Sequence, residues 1–212
     1  METCVIFCAG GFDSLAEPIG AGDYIIAADG GLVHLEKLGI VPHAIIGDFD
    51  SLGRIPGGAE VFPVEKDDTD SMLAIRRGLE QGYSRFVIYG GLDGPRLDHT
   101  LANLQALQFL ADRGAQGFLV GLDHSATVIK NGTLAFGPDA EGIVSVFCMG
   151  PDAKDVILRG LKYSLEKGAL SAGFPLGVSN HFVEEKSEII VGNGSLLVIF
   201  ESENSFPEVM PC

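Results

Sequence analysis

Two aspartates at the end of an apolar run are the first residues whose type and spacing suggest chemistry. The stretch IIGDFDS places Asp48 and Asp50 two positions apart, directly after Ile45 and Ile46. Two carboxylates this close repel each other, and a structural turn needs only one of them. A divalent cation removes the conflict, because Mg²⁺ is typically bound by one or two protein carboxylates together with substrate phosphates. The pair therefore predicts a magnesium site.

Further acidic residues follow the other apolar runs of the first half of the chain. They are Asp29, Asp67, Asp68, Asp70 and Asp98, with one arginine, Arg96, among them. Open parallel sheets bind ligands beyond the carboxyl ends of their strands, so we expect these side chains to meet at one site. Single residues also have local interpretations: Asp68, Thr69 or Asp98 as a helix N-cap, and Asp29 as a turn residue.

A glycine-rich stretch, YGGLDG, lies just ahead of Arg96. Glycines let backbone N–H groups approach an anion, and the N-terminus of a following helix favours negative charge. The stretch is neither a GxGxxG fingerprint nor a phosphate-binding loop of the Walker type, so it is weak evidence by itself. Arg96 either contacts a phosphate or pairs with Asp93, and its place beside the glycines favours the phosphate.

The elements that must position these residues alternate between strands and helices over residues 1–122. Apolar runs predict strands at 4–10, 23–31, 43–50, 60–64, 85–91 and 117–122, and helical periodicity predicts helices at 31–39, 70–82 and 98–113. The helix at 98–113 places Leu101, Leu104, Leu107 and Leu110 on one face and ends at Gly114. Alternating strands and helices predict an α/β fold, with a largely parallel, Rossmann-like domain over residues 1–122.

The remaining residues, 123–212, have a different sequence pattern, in which strand signals are not separated by helical ones. Two β-rich stretches, 125–137 and 187–202, each contain an Asn-Gly pair, which is the strongest short-range signal for a hairpin. Shorter apolar runs lie between them, and no helical window is convincing. We therefore predict a C-terminal antiparallel β-sandwich or barrel over 123–212.

Composition narrows the possible partners and the compartment. Acidic residues outnumber basic ones 29 to 14, for a formal charge of −15, which argues against nucleic acid or an anionic membrane as a partner. No apolar stretch approaches the roughly 18 residues of a membrane span. The start lacks the basic region of a signal peptide, and the four cysteines have no paired-ligand spacing. These features predict a cytoplasmic protein with free thiols.

Five motifs, taken in order, resemble the thiamine pyrophosphokinase family. They are ADGG, IGDFDS, DDTD, GGLDGPRLDHTLANL and GVSNHF, and they extend over nearly the whole chain. The resemblance implies transfer of a pyrophosphoryl group from ATP to the hydroxyl of thiamine, giving thiamine diphosphate and AMP. It also implies that the N-terminal α/β domain, residues 1–122, binds ATP and Mg²⁺, that the C-terminal β-sandwich, residues 123–212, binds thiamine, and that the protein is a homodimer with sites between the subunits. Thiamine is a cation, so an acidic surface would attract it.

The resemblance also assigns roles to individual residues. Asp48, Asp50 and Asp70 would hold Mg²⁺ and the ATP phosphates. Arg96 would contact phosphate, and Asp98 would line the same cleft. Within that cleft, Asp98 is our candidate for orienting or deprotonating the alcohol. Asp29, Ser51 and Thr69 would complete the nucleotide site, and Ser179 and Asn180 would contact thiamine.

The chain departs from the family pattern at two places. Some members have a lysine in the helix after the TD motif, whereas here the nearest amine is Lys66, upstream of it. Some members stack thiamine on a tryptophan, and this chain has none. Phe174 or Phe182 is a candidate replacement, and an apolar core role is an equal alternative for both.

Two other functions compete with the kinase. In a phosphatase of the Asp-x-Asp type, Asp48 would form an aspartyl-phosphate and Asp50 would act as acid and base. There the pair should follow the first strand and a downstream lysine should reach the site, and neither condition is clearly met. The other candidate is a non-catalytic protein that binds Mg-ATP or thiamine and releases no AMP.

Overall fold

The computed structural model describes residues 2–49, 54–63 and 67–211. It is a mixed α/β fold made of two compact units. The first comprises Met1–Ala106 with Gly117–Leu122, and the second Leu107–Gln116 with Asp123–Cys212. The predicted division lies at 122/123, and the structure additionally assigns the end of one helix and the residues after it to the second unit. The assignment of ATP and thiamine to separate domains stays a prediction.

Six strands, most of them in parallel pairs, form the sheet of the first unit. The strands are β1 (Cys4–Phe7), β2 (Tyr24–Ala28), β3 (Ala44–Gly47), β4 (Glu60–Val61), β5 (Arg85–Tyr89) and β6 (Gln116–Val120). Their order is β6-β5-β1-β2-β3-β4, and the pairs β1–β5, β1–β2, β2–β3 and β3–β4 are parallel. All four residues of β1 are buried, as expected of a parallel strand covered on both faces.

Three helices accompany these strands, as predicted: α1 (Leu32–Leu38), α2 (Asp70–Glu80) and α3 (Leu97–Ala111). Helix α3 is closed by Gly114, which has a φ of 72°, and the N–H of Ala115 donates to Leu110 O at 3.0 Å. This arrangement confirms Gly114 as the residue that ends the helix. The predicted leucine face is only partly right, because Leu107 and Leu110 are buried whereas Leu101 is 55% exposed.

An ion pair ties α2 to the edge strand β4. Arg77 donates from Nη1 and Nη2 to the two carboxylate oxygens of Glu60, at 2.5 and 2.6 Å. This hydrogen bonding lowers the pKa of Glu60 from its ordinary value.

Antiparallel strands form the second unit. They are β7 (His124–Phe136), β8 (Ile143–Cys148), β9 (Ala153–Arg159), β10 (Leu165–Leu170), β11 (Gly177–His181), β12 (Ser187–Glu201) and β13 (Glu208–Pro211). Strand β12 pairs with β7, β8 and β9, while β10 pairs with β9, β11 with β8, and β13 with β7. Their inward side chains form one apolar cluster, which includes Phe136, Val156, Ile189 and Phe200.

The two predicted Asn-Gly hairpins are wrong. Residues 131–132 lie inside the continuous strand β7, and residues 193–194 lie inside β12. The two sites face each other where the β7–β12 register shifts, and Asn131 Oδ1 accepts a hydrogen bond from the Gly194 N–H at 2.9 Å. Asn131 and Gly194 both have positive φ, 48° and 114°. Asn-Gly pairs favour positive φ, and a bulge uses this conformation as readily as a hairpin turn does.

Two smaller predictions can be checked in the described part of the chain. There, no helix is long and apolar enough to cross a membrane. Cys4, Cys8 and Cys148 are free thiols, as predicted, and Cys212 lies outside the described residues.

Candidate active site

A cavity of about 530 Å³ lies in the first unit, beyond the carboxyl ends of its parallel strands. It is lined by Cys8, Ala9, Gly10, Ala28, Asp29, Asp48, Asp68, Thr69, Asp70, Ser71, Gly90, Gly91, Gly94, Pro95, Arg96, His99, Thr100 and Asn103. The structure therefore brings together Asp29, Asp48, Thr69, Asp70 and Arg96, which the sequence assigned to one site. Asp50, Ser51 and Lys66 lie outside the described residues.

Close backbone packing shapes one side of the cavity. The Gly10 N–H donates to Gly90 O at 2.9 Å, just beyond β1 and β5. Gly90 has a φ of 68°, and a Cβ atom at this position would lie 2.5 Å from the carbonyl oxygen of Cys8. Only glycine fits such a position without displacing the neighbouring strand end.

The first two carboxylates, Asp29 and Asp48, follow β2 and β3 at points where the backbone takes a positive φ, at Asp29 itself and at Phe49 after Asp48. Asp29 begins a short 3-10 helix, Asp29–Gly31, with a φ of 46°, so the turn interpretation and the site interpretation both apply to it. Phe49, next to Asp48, has a φ of 59° and is only 3% exposed. A left-handed conformation is costly for a bulky residue, and such strain tends to occur at functional sites. Burial of the Phe49 ring holds the segment in place.

Helix α2 presents its first turn to the cavity. Thr69 is the N-cap, and its hydroxyl accepts a hydrogen bond from the Met72 N–H at 3.3 Å. Of the proposed caps for this helix, Thr69 is thus right and Asp68 is not; Asp68 pairs with Arg76 at 2.9 Å. Asp70 occupies the first turn, where the helix dipole stabilises a carboxylate.

Arg96 and Asp98 form an exposed ion pair at the start of α3, with Nη2 2.6 Å from Oδ2. This pairing lowers the pKa of Asp98, chiefly through the hydrogen bond. Asp98 lies in the first turn of α3 and not at its N-cap. The alternative partner Asp93 instead accepts the Leu122 N–H at 2.7 Å. The Arg96–phosphate contact stays a prediction.

Four polar residues of the cavity were missed from the sequence: Ser71, His99, Thr100 and Asn103. Ser71 donates to Asn103 Oδ1 at 2.7 Å, and Asn103 Nδ2 donates to Gly91 O at 2.8 Å. A signal for part of this set existed, because Thr100 and Asn103 are polar residues three positions apart in a leucine-rich helix. Such a spacing places them on one face.

Cys8 also lines the cavity, but its thiol is not a nucleophile at neutral pH. Burial, and secondarily the charge of Asp70, raise its pKa to about 12. Nucleophilic attack requires the thiolate, which is then essentially absent.

The donor set of the cavity fits Mg²⁺. Asp29, Asp48 and Asp70 offer carboxylate oxygens, which hard cations prefer, and no nitrogen or sulfur ligand is required. Among the described residues, no group of three or more His, Cys, Asp or Glu side chains is arranged to hold a metal ion. Mg²⁺ needs only one or two protein carboxylates when phosphates supply further ligands, so the arrangement suits a metal that arrives with a nucleotide.

The residues assigned to thiamine lie in the second unit. Residues 177–181 form strand β11. Asn180 is 3% exposed, and its side chain holds both backbone groups of Tyr163, at 2.9 and 2.7 Å. Ser179 is exposed with a φ of 57°. Its contact with thiamine, like that of Asn180, stays a prediction.

The two candidate stacking residues differ in their surroundings. Phe182 is buried in the apolar cluster, with its ring centroid 4.9 Å from that of Phe136. The core alternative therefore applies to Phe182. Phe174 is exposed and remains the candidate for stacking.

Comparison with known families decides between the candidate functions. A family model described as "Thiamin pyrophosphokinase, catalytic domain" matches residues 15–119, and one described as "Thiamin pyrophosphokinase, vitamin B1 binding domain" matches residues 133–196. The chain belongs to the thiamin pyrophosphokinase family. The thiamine pyrophosphokinase prediction is therefore confirmed, in preference to the phosphatase and the non-catalytic binding protein.

Individual thiamin pyrophosphokinases resemble the chain over most of its length. The thiamine pyrophosphokinase of Bacillus subtilis is 29% identical over 183 residues, covering 82% of this chain and 85% of the relative. Thiamin pyrophosphokinase 1 of Caenorhabditis elegans is 28% identical over 196 residues, covering 85% and 80%. The crystal structure of the Bacillus subtilis protein superimposes with a TM-score of 0.80 at 24% identity, covering 95% of this chain and 99% of that one.

Proposed function

We propose that this protein transfers the pyrophosphoryl group of ATP to the hydroxyl of thiamine, with release of AMP. The observation that carries the proposal is the convergence of Asp48, Asp70 and Arg96 on one cavity at the carboxyl ends of parallel strands. This is the position at which open α/β sheets bind nucleotides. We infer thiamine as the acceptor alcohol from the family to which the chain belongs.

The residues of the cavity bind and orient ATP. Asp48 and Asp70, with Asp50 as a further ligand, hold Mg²⁺, which neutralises charge on the phosphate oxygens when it is bound. The glycine segment 90–94 lets the backbone approach the phosphates closely, and Arg96 adds a charged donor. Asp29 and Thr69, with Ser51, complete the nucleotide site. Phosphoryl transfers depend mainly on such positioning and charge stabilisation.

Asp98 acts on the acceptor alcohol. While Asp98 is paired with Arg96, its lowered pKa keeps it anionic at neutral pH, so it is a good hydrogen-bond acceptor and a weak base. It therefore orients the hydroxyl of thiamine. When Arg96 turns to a phosphate, the carboxylate loses this partner, its pKa rises, and proton acceptance becomes easier.

The second unit binds thiamine in this proposal, as a β-sandwich in a homodimer with sites between subunits. Several apolar side chains around β11 are exposed: Tyr163, Phe174, Leu176 and Val178. Exposed apolar groups of this kind suit an interface or the ring of a ligand. The N-terminal domain is Rossmann-like, and the protein is cytoplasmic. The charge of −15 would attract the thiamine cation and repel nucleic acid.

One assay tests the proposal. Purified protein is mixed with ATP, Mg²⁺ and thiamine, and AMP and thiamine diphosphate are followed together. Equal amounts of both products, abolished by a chelator and restored by Mg²⁺, are expected. Release of free phosphate or ADP contradicts the proposal in favour of a phosphatase or an ordinary kinase. Binding of Mg-ATP without AMP identifies a non-catalytic protein.

A further inference from the structure

A buried chain of hydrogen bonds connects three segments of the first unit. It runs from Thr69 at the cap of α2, through Ser71, to Asn103 on α3, and ends at the carbonyl oxygen of Gly91 after β5. Ser71 and Asn103 are each only 9% exposed. Buried polar side chains of this kind are costly unless each hydrogen bond is made, so the network specifies one arrangement of the segments.

Which group donates in each of these hydrogen bonds follows from the acceptor at the end of the chain, the Gly91 carbonyl oxygen. The Gly91 carbonyl can only accept, so the amide of Asn103 must turn Nδ2 towards it, at 2.8 Å, and Oδ1 towards Ser71. Ser71 therefore donates its single hydroxyl proton to Asn103 Oδ1, at 2.7 Å. Thr69, whose oxygen lies 3.0 Å from that of Ser71, must donate to it. A flipped amide would place two oxygens face to face at Gly91.

Helix α3 holds the next carbonyl of the same segment as well. The hydroxyl of Thr100 donates to Leu92 O at 3.0 Å, one turn before Asn103. Two consecutive carbonyl groups of the glycine segment therefore point at α3. In planar trans peptides their paired N–H groups, those of Leu92 and Asp93, point away from it.

We propose that Asn103 is a positioning residue for the nucleotide site. Its amide fixes the glycine segment on one side and the first turn of α2 on the other, so that the two approach the phosphates in a set geometry. Asp70 is the direct neighbour of Ser71, which links the network to a predicted Mg²⁺ ligand. The inference rests on the proposed function and adds a residue that does not itself react.

Two variants separate the parts of the network. Asn103→Asp keeps the acceptor for Ser71 but places an oxygen opposite Gly91 O, so the glycine segment must move away. Ser71→Ala removes the donor to Asn103 and places a good helix former in α2. The matched control is Asn204→Asp, because Asn204 is also a buried amide that bridges backbone groups, those of Glu141 and Glu201, but lies in the second unit.

Mg-ATP affinity is measured by calorimetry and AMP formation by steady-state kinetics, below the melting temperature of each variant. We expect Asn103→Asp and Ser71→Ala to weaken Mg-ATP binding and kcat/KM for ATP by about tenfold or more. The KM for thiamine should change much less. The double variant should lose less than the product of the two single losses, since both act through one network. Asn204→Asp should lower the melting temperature and leave both constants for ATP unchanged.

Several results would overturn the inference. Folded variants with wild-type affinity and kinetics would remove the positioning role, and so would equal losses for ATP and thiamine or an equal loss in Asn204→Asp. If Asn103→Asp does not fold, Ser71→Ala decides alone. A wild-type protein that binds Mg-ATP without forming AMP contradicts the proposed function, and loss of binding in the variants would still support the positioning role. No binding by wild type would overturn both.

Discussion

Arg96 and Asp98 form an ion pair with two hydrogen bonds at the N-terminus of α3, with Nη2 2.6 Å from Oδ2 and Nε 3.2 Å from Oδ1. Arg96 lines the cavity, whereas Asp98 is beside it. The guanidinium thus serves two groups in the proposed reaction: the carboxylate that holds it now and the phosphate that it approaches later. The Asp98 carboxylate and the phosphate therefore compete for the guanidinium of Arg96.

Arg96→Gln should lower kcat/KM for ATP by roughly tenfold or more, because the variant lacks the charged donor that would contact the phosphate. The kcat/KM of Arg96→Lys should lie between those of the wild type and Arg96→Gln, since lysine keeps the charge and loses the planar guanidinium. Initial rates of AMP formation measure both. Arg159→Gln is the control, because Arg159 is an exposed, ion-paired arginine of the second unit. An equal effect of the two glutamine variants would remove the phosphate role of Arg96.

Asp98→Asn should lower kcat by roughly a hundredfold, in the range of general acid–base catalysis, and leave Mg-ATP affinity nearly unchanged. The amide can orient the alcohol poorly and cannot accept its proton. Turnover and calorimetric affinity are compared in the same preparation. Weaker Mg-ATP binding with unchanged kcat would instead place Asp98 in the nucleotide site.

Asp48→Asn and Asp70→Asn should each reduce AMP formation by roughly a hundredfold or more, as loss of an electrostatic stabiliser does elsewhere. The concentration of Mg²⁺ that gives half-maximal rate should rise, because each variant removes a carboxylate ligand. Asp152→Asn, in an exposed position of the second unit, controls for the change in net charge. Unchanged Mg²⁺ dependence in both cavity variants would contradict their role as ligands.

The sequence predicted the parallel strands and their helices well, because burial on both faces leaves an unambiguous apolar run. It failed where one residue type serves two geometries. Asn131 and Gly194 have the positive φ of a hairpin turn, yet they meet across a bulge between two long strands. A residue's preference for positive φ does not determine whether the chain turns back in a hairpin or continues through a bulge.

The structure places several of the charged residues that the sequence assigned to the site, and Thr69, around the cavity, whereas the other polar residues of its lining were missed. Asp29, Asp48, Asp70 and Arg96 were recognised because charges at strand ends need an explanation. Asn103 was hidden among leucines, and its role depends on Ser71 and Gly91, 32 and 12 positions away in the sequence. The spacing of Thr100 and Asn103 places both residues on one face of α3, but it does not name their partners, because those contacts are created by the tertiary fold.

Gly90→Ala should destabilise the first unit, and Gly94→Ala should not. A side chain at Gly90 would require a left-handed φ of 68° and would contact the carbonyl oxygen of Cys8 at 2.5 Å. At Gly94 no atom lies within 4 Å of the added carbon. We expect a loss of about 2 kcal/mol or more in the free energy of unfolding for Gly90→Ala, measured by urea denaturation. Equal stability of the two variants would contradict this account of the strand ends.

Cys8 should resist alkylation in the native protein although it lines the cavity. Cys8 is buried, with 8% of the residue exposed, and burial raises the pKa of its thiol to about 12, so very little thiolate exists at about pH 8. Cys148 is half-buried and should be modified by iodoacetamide first. Mass spectrometry of the cysteine peptides after timed alkylation measures the two rates. Faster labelling of Cys8 than of Cys148 would show that the cavity exposes a reactive thiolate.

The same pKa has a consequence for stability at alkaline pH. Because the folded pKa of Cys8 lies above that of an unfolded thiol, about 8.5, the stabilisation is complete below that value. It is lost as the pH rises towards about 12, since the unfolded chain then releases its proton more readily than the folded one. Urea denaturation at increasing pH should therefore show a fall in stability above about pH 9 that is smaller in Cys8→Ala. An identical pH dependence in the variant would mean that the Cys8 thiol titrates alike in the folded and unfolded chains.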